Sequence, residues 1–225
     1  MNWGDSTRMS RGSSFIGLMT VGLLIAGACG GSTIPVTRDS GSIGSERAMA
    51  ENAFWAIVER TLPYEADRYR QLRAFRAALN ELPPSQIEAF EVAYWQQMNR
   101  AYTWDLWGAA YVANGGASDD GFEYFRSWLI SKGRRVFEAV VAKPDDLADH
   151  LVADVEDVLE FEDFAYVAGN VWTTKSGKRL QEFRDAPGIY AVGLEPKGAP
   201  FAEDAASLAA QYPKLWGRFG EHPLE

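Results

Sequence analysis

Two adjacent carboxylates, Asp119 and Asp120, follow the Gly115-Gly116 pair near the middle of the chain. Carboxylates in a loop can bind hard cations such as Ca²⁺ or Mg²⁺ when further oxygen ligands are present, or can act as an acid/base pair. A simpler interpretation makes Ser118 the N-cap of a helix whose dipole both carboxylates complement. The spacing does not match an EF-hand loop. The cap is favoured, and a hydrolase-type site with a divalent cation is the alternative.

Aromatic and polar side chains are concentrated around these carboxylates. Small-molecule pockets are mostly apolar with a few polar groups, so this region is a candidate ligand site. The candidate residues are Trp104, Asp105, Trp107, Asn114, Ser118, Asp119, Asp120 and Arg126. The favoured alternative is an aromatic core whose indole and phenol groups are paired with these polar residues. Arg126 is expected to pair with Asp105 or to bind an anion, with the structural pair preferred.

The composition of the chain excludes several classes of functional site and partner. The chain has 225 residues, a formal net charge of −9, 1 Cys and 2 His. Such scarcity excludes a disulfide framework and a Cys-based zinc site, and it leaves a Ser-His-Asp triad without support. An acidic chain is also a poor match for the phosphate backbone of nucleic acids, which requires a basic surface. No cofactor and no nucleic-acid partner are expected.

The single cysteine, Cys29, lies at the end of an apolar run that begins at Phe15. Two arginines, Arg8 and Arg11, precede this run. At about 1.5 Å per helical residue the run is too short to cross a membrane, but it is typical of a signal peptide. The order Ala26-Gly27-Ala28-Cys29 resembles the lipobox of bacterial lipoproteins. The resemblance implies a lipid-modified cysteine that takes up palmitate and anchors the protein to a membrane. The alternative is an ordinary signal peptide with Cys29 as a bystander.

The sequence therefore divides into a signal peptide (1–28), a lipidated cysteine with a flexible Gly/Ser-rich tether (29–46) and one domain (47–225). The expected location is the cell envelope, outside the cytoplasm. Gly30 rather than Asp follows the cysteine, which by the same resemblance favours the outer membrane where the host has one. Either Met1 or Met9 is the start of translation.

Helical periodicity predicts a mainly α, compact single-domain bundle for residues 47–225. Ser85 and Glu88 form a capping-box pattern for a helix that is predicted to continue to Val112. The C-terminal third is richer in Gly and Pro and only weakly periodic. A short β-hairpin is therefore expected near residues 188–192.

Acidic residues dominate residues 145–163, where no Lys or Arg occurs. A helix is predicted over 145–160, with Leu147, Leu151, Val155 and Leu159 facing inward. The acidic side chains are expected to form a solvated helix face. The alternative is a docking surface for a basic protein partner, where charge would steer association.

The segment from Tyr102 to Gly133 contains the strings WDLWGAAY, NGG and SDDGF. It resembles the bacterial "domain of unknown function" family numbered 4240, and the resemblance extends over about residues 50–216. Ala117 departs from the cysteine that we expect at that position, so no thiol-dependent role is implied there. The resemblance implies a fold and a candidate site but no activity. The function expected is a lipid-anchored, extracytoplasmic binding or interaction module.

Overall fold

Apolar residues spaced by three and four form amphipathic helices in the part of the chain that the computed structural model describes, residues 48–152, 157–190, 193 and 195–224. The α-helices are α1 (Glu51–Glu59), α2 (Arg68–Asn80), α3 (Pro84–Arg100), α4 (Trp104–Asn114), α5 (Asp119–Ser131), α6 (Gly133–Ala142), α7 (Glu162–Ser176), α8 (Leu180–Arg184), α9 (Ala205–Gln211) and α10 (Pro213–Phe219). Two 3-10 helices span Leu62–Tyr64 and Pro144–His150. The predicted mainly α bundle is confirmed.

The segments predicted as signal peptide and tether, including Cys29, lie outside the described residues. None of the helices in the described part is long and apolar enough to cross a membrane.

Helix α7 packs against α2, α3 and α5, and the core between these helices is rich in aromatic rings. Phe75 of α2 stacks on Phe164 of α7 with ring centroids 4.1 Å apart. Phe90 of α3 lies against both Phe54 and Phe75. Because the bundle has no disulfide in its described residues, burial of these large apolar surfaces is its main source of stability.

The predicted helix from Ser85 to Val112 is two helices. Helix α3 begins at Pro84, whose missing N–H needs no partner at the first helical position, and no side chain caps it. The Ser85–Glu88 capping box is therefore wrong, and Glu88 instead accepts the indole N–H of Trp172 at 2.9 Å. Helix α4 starts anew because the Thr103 hydroxyl caps it by accepting the N–H of Leu106.

The helix predicted over residues 145–160 is also wrong. A 3-10 helix ends at His150, residues 151–152 and 157–160 are irregular, and residues 153–156, with Val155, lie outside the described part. Arg218 of α10 explains the early end, because its guanidinium donates to the backbone carbonyls of Ala148, Leu151 and Val152. Of the residues predicted to face inward, Leu147 and Leu159 are buried and Leu151 is half-buried.

The β-hairpin expected near residues 188–192 is not formed by its described residues, because residues 185–190 make successive turns. Ala191 and Val192 lie outside the described part. The β-pairing seen in the described residues is an isolated parallel bridge between Thr103 and Lys197. The turns place Tyr190 against α3, which matters for the site below.

Candidate functional site

The turn that carries Asp119 and Asp120 has the geometry of a helix cap. Gly115 ends α4 in the left-handed conformation at φ 67°, which glycine adopts without a steric penalty. The Ser118 hydroxyl then accepts the N–H of Gly121 at 3.1 Å. Asp119 and Asp120 lie exposed in the first turn of α5, where their charges complement the helix dipole.

The neighbouring aromatic residues stack on one another. Trp104 stacks on Trp107 with centroids 5.1 Å apart, and Trp107 stacks on Phe122 at 4.8 Å. The Trp107 indole donates to the carbonyl oxygen of Ala117 at 2.9 Å, so its polar group is satisfied within the protein. This part of the predicted candidate set is therefore packed as core.

The polar members of the set point to different partners. The Asp105 side chain is exposed and accepts a hydrogen bond from Gln211 at 3.0 Å. Asn114 accepts the backbone N–H of Leu159 through Oδ1, and its buried Nδ2 has no partner among the described residues. Asp105 and Asn114, which were chosen from their proximity in sequence, thus contact different parts of the protein.

Arg126 is only 3% exposed and is held by the protein itself. Its guanidinium donates to the carbonyl oxygens of Met98 at 3.0 Å and Phe122 at 3.3 Å, and it lies 4.6 Å from the centre of the Tyr102 ring. Burial lowers the pKa of Arg126, and the nearby Glu123 carboxylate opposes that effect. The structure does not form the expected Arg126–Asp105 pair.

A second buried charged residue, Glu91, lies on α3. It stands one helical turn after Ile87 and one turn before Trp95, so it falls on the buried face of the helix, and it is 2% exposed. The Trp95 indole N–H donates to Glu91 Oε1 at 3.1 Å. Burial raises the pKa of Glu91 to about 8, against the smaller opposing effect of this hydrogen bond.

Glu91 borders a cavity of about 250 Å³ between α3, α7, α8 and the turn that follows α8. The lining residues are Glu91, Ala165, Tyr166, Gly169, Asn170, Leu180, Arg184 and Tyr190. Gly169 allows α8 to approach α7, because a Cβ at this position would lie 2.9 Å from Leu180 Cδ1. We call this cavity the Glu91 pocket.

Tyr190 closes one side of the Glu91 pocket in an unusual backbone conformation. Its φ is 58°, a left-handed value that non-glycine residues adopt at an energetic penalty and that is common at functional sites. Its ring lies 4.5 Å from Trp95, and the Arg184 guanidinium lies 5.8 Å from the same ring. Burial raises the pKa of Tyr190, the Glu91 charge raises it further, and Arg184 lowers it. The phenol is therefore within electrostatic range of both charged residues of the pocket.

Sequence reasoning missed this pocket, although one signal was present. Glu91 interrupts the apolar face of α3 that Ile87, Tyr94 and Met98 define, and a charged residue on such a face requires a partner or a function. Arg184 and Tyr190 carry no comparable signal. They lie more than ninety positions away, and the packing of α8 on α7 is what brings them to Glu91.

No group of three or more His, Cys, Asp or Glu side chains within the described part could hold a metal ion. Comparison with protein-family models matches residues 49–174 to a family described as "Protein of unknown function (DUF4240)". The matched segment includes Glu91, Tyr166 and Asn170 of the Glu91 pocket and ends before Arg184 and Tyr190. No curated protein and no solved structure matches the chain.

Proposed function

The chain belongs to the DUF4240 family of proteins of unknown function, and we propose that it is a lipid-anchored, extracytoplasmic binding module that holds a small ligand in the Glu91 pocket. The observation that carries the proposal is the environment of Glu91. Its carboxyl group is almost completely buried, receives one hydrogen bond from Trp95 and borders a cavity. Burying a carboxyl with so few partners is unfavourable, which a purely structural role would not explain.

A thermal-shift screen of small polar compounds tests the binding site. A ligand that binds only the folded state stabilises it by RT ln(1 + [L]/Kd). The control is Asn170→Trp, because Asn170 is exposed at the pocket and an indole there would fill the entrance. We expect compounds that stabilise the wild type and not Asn170→Trp. The proposal fails if no compound stabilises the wild type, or if every compound stabilises both proteins equally.

The anchor is supported by the sequence around Cys29 and by the Gly/Ser-rich residues that follow it. We place the lipid-modified protein in the cell envelope, on the outer membrane where the host has one. Labelled palmitate should enter the wild type and not Cys29→Ser. Equal labelling of the two proteins would contradict the anchor without affecting the ligand site.

The alternative hydrolase at the Asp119–Asp120 turn has less support. Ser118 caps the helix, and both carboxylates are exposed in its first turn rather than bordering the pocket. If it were correct, Mg²⁺ or Mn²⁺ would stabilise the wild type and not Asp119→Ala/Asp120→Ala.

A basic protein partner at residues 145–163 is a further proposal. Asp146 and Asp149 already pair with Lys214, which reduces the free charge of this segment. Asp157 and Asp163 are exposed, and a basic partner would use them. Asp157→Asn/Asp163→Asn should weaken the low-salt binding of a lysine-rich peptide, and unchanged binding would contradict the proposal.

A further inference from the structure

We propose that the Glu91 pocket binds a small zwitterion, whose ammonium group contacts the Glu91 carboxylate and whose carboxylate group contacts the Arg184 guanidinium. The inference rests on the proposed function and adds the chemical class of the ligand. It follows from the charges on the pocket wall, where one acidic and one basic side chain border the same cavity.

The ammonium group is inferred from what Glu91 lacks. Its Oε1 receives the Trp95 indole N–H, and no cationic side chain in the described part forms an ion pair with it. A buried ionised carboxylate is stable only with a cation or with several hydrogen-bond donors. A ligand ammonium carries three N–H donors and a full charge, so it would supply both.

The carboxylate group of the ligand is inferred from Arg184. This residue is exposed at the C-terminal end of α8, lines the pocket and lies over the Tyr190 ring. No carboxylate in the described part forms an ion pair with it. A planar guanidinium binds a carboxylate through two parallel hydrogen bonds, which makes Arg184 a natural contact for the anionic end of a ligand.

Neutral groups complete the match. Asn170 and Tyr166 offer an amide and a phenol, and Ala165 and Leu180 offer short apolar surfaces for the carbon chain of the ligand. With one charge of each sign, the pocket favours a ligand that is dipolar over one that carries a net charge. The cavity of about 250 Å³ restricts that ligand to a small molecule.

Proton release must accompany this binding. Burial raises the pKa of Glu91 to about 8, so below that pH the carboxyl of the empty pocket is mostly protonated. It must lose this proton before it can form an ion pair with the ammonium group of the ligand. The apparent affinity should therefore fall by about fivefold from pH 8 to pH 7 and by about tenfold for each further pH unit. The titratable or charged groups that face Glu91 are Tyr94 on α3, Tyr166 on α7, Arg184 on α8 and Tyr190 after α8, with Glu123 on α5 acting on Tyr94 and Tyr190. The pKa values of Tyr94 and Tyr190 are raised, so these phenols stay neutral over this range and Glu91 governs the pH dependence.

Isothermal titration calorimetry on the full-length protein in detergent tests the ligand class. The probes are γ-aminobutyrate, δ-aminovalerate and ε-aminocaproate, which separate the two charges by increasing lengths, with pentylamine and valerate as single-charge controls. We expect one zwitterion to bind best, pentylamine to bind more weakly and valerate not to bind. Between pH 8 and pH 6 the affinity of the best probe should fall roughly fiftyfold.

Two variants separate the two contacts. Glu91→Gln should lose both the binding of amines and its pH dependence. Arg184→Gln should reduce the zwitterion to the affinity of pentylamine, whereas Arg76→Gln, which removes an exposed arginine outside the pocket, should bind like the wild type.

Three results would overturn the inference: valerate binding as tightly as the zwitterions, zwitterion affinity that does not change with pH, or full affinity in Arg184→Gln. If the zwitterions fail but a neutral compound from the thermal-shift screen binds the wild type and not Asn170→Trp, the ligand class is wrong and the pocket remains a binding site. If nothing binds, both proposals fall together.

Discussion

Arg126 of α5, which contacts α3, and Glu91 of α3 itself are two charged residues that are both almost completely buried. Arg126 is 3% exposed, donates to two backbone carbonyls and lies 4.6 Å and 5.0 Å from the ring centres of Tyr102 and Phe122. Glu91 is 2% exposed, receives one indole N–H and borders a cavity. Arg126 thus has two hydrogen-bond acceptors and two aromatic rings around it, whereas Glu91 has a single donor and an adjacent cavity.

This difference shows that burial alone does not identify a site. A buried charge with all its partners inside the protein stabilises one arrangement of the core, and it offers a ligand no free group. A buried charge that lacks a partner keeps an uncompensated desolvation penalty, and a ligand that enters the neighbouring cavity can compensate it. The predictions below remove each residue in turn, beginning with the largest expected effect.

Replacing Arg126 with Ala should destabilise the domain most. The change leaves a cavity beside Tyr102 and Phe122 and removes donors from the carbonyls of Met98 and Phe122, for a loss of about 3–5 kcal/mol in the free energy of unfolding. Urea denaturation measures the loss. Arg126→Met keeps most of the volume and should lose less. If either variant folds with full stability but no longer binds the pocket ligand, Arg126 belongs to the site and the contrast with Glu91 fails.

Replacing Glu91 with Gln should increase the free energy of unfolding at alkaline pH, in contrast to the loss expected for Arg126→Ala. The ordinary glutamate pKa is 4.5, and burial raises that of folded Glu91 to about 8. Between these values the folded state holds a proton that the unfolded state has released, so rising pH removes about 1.4 kcal/mol of stability per unit. Gln cannot ionise, so the variant should be more stable than the wild type by about 4 kcal/mol at pH 8 and nearly equal to it at pH 4.5.

Urea denaturation of both proteins at several pH values measures this difference. Parallel stability profiles would mean that Glu91 ionises with an ordinary pKa, which would remove the argument for an unsatisfied buried carboxyl.

Asp145 provides a second example of a buried charge whose hydrogen-bond partners lie inside the protein. It is 8% exposed, and its Oδ1 accepts the backbone N–H groups of Lys214 and Leu215, each at 3.0 Å, so it caps α10. Asp145→Ala should lower the free energy of unfolding by about 1–2 kcal/mol. The matched control is Asp149→Ala, which removes an exposed pair with Lys214 and should lose less. Equal losses measured by urea denaturation would contradict the capping role.

The turn at Ser118 should give the smallest effect. Ser118→Ala removes the hydroxyl that accepts the Gly121 N–H and should lower the free energy of unfolding by about 1 kcal/mol without changing ligand binding. Asp119→Asn/Asp120→Asn weakens only the interaction with the helix dipole and should lose less. A loss of ligand binding in either variant, measured by calorimetry, would return this turn to the list of candidate sites.

The parts of the fold that follow from local rules were predictable from the sequence. Periodicity predicts the helices, and Ser118 and Gly115 mark one helix start and one helix end. The break between α3 and α4 was missed, because it depends on the Thr103 side chain and neither Gly nor Pro marks it in the sequence. The irregular acidic segment was missed as well, because Arg218 competes for its carbonyl groups from more than sixty residues away.

The candidate site was harder to predict for a similar reason. The predicted residues lie between Trp104 and Arg126 and are close together along the chain. In the folded domain these residues belong to the aromatic core or to a helix cap rather than to a pocket. The Glu91 pocket is formed by α3 together with α7, α8 and the following turn, which lie more than seventy residues beyond Glu91 along the chain. Only Glu91, an acid on an apolar helix face, could have indicated it.

The titration of the Glu91 side-chain carboxyl by ¹³C NMR tests the central claim most directly, with Glu91→Gln used to assign its signal. In the empty protein we expect this carboxyl to titrate at a pKa of about 8, because it is buried with a single donor. Saturation with the best-binding aminocarboxylate should lower that pKa by more than one unit, because the ammonium group stabilises the ionised form. A carboxyl that titrates near 4.5 in the empty protein, or whose titration does not respond to any probe, would contradict the account.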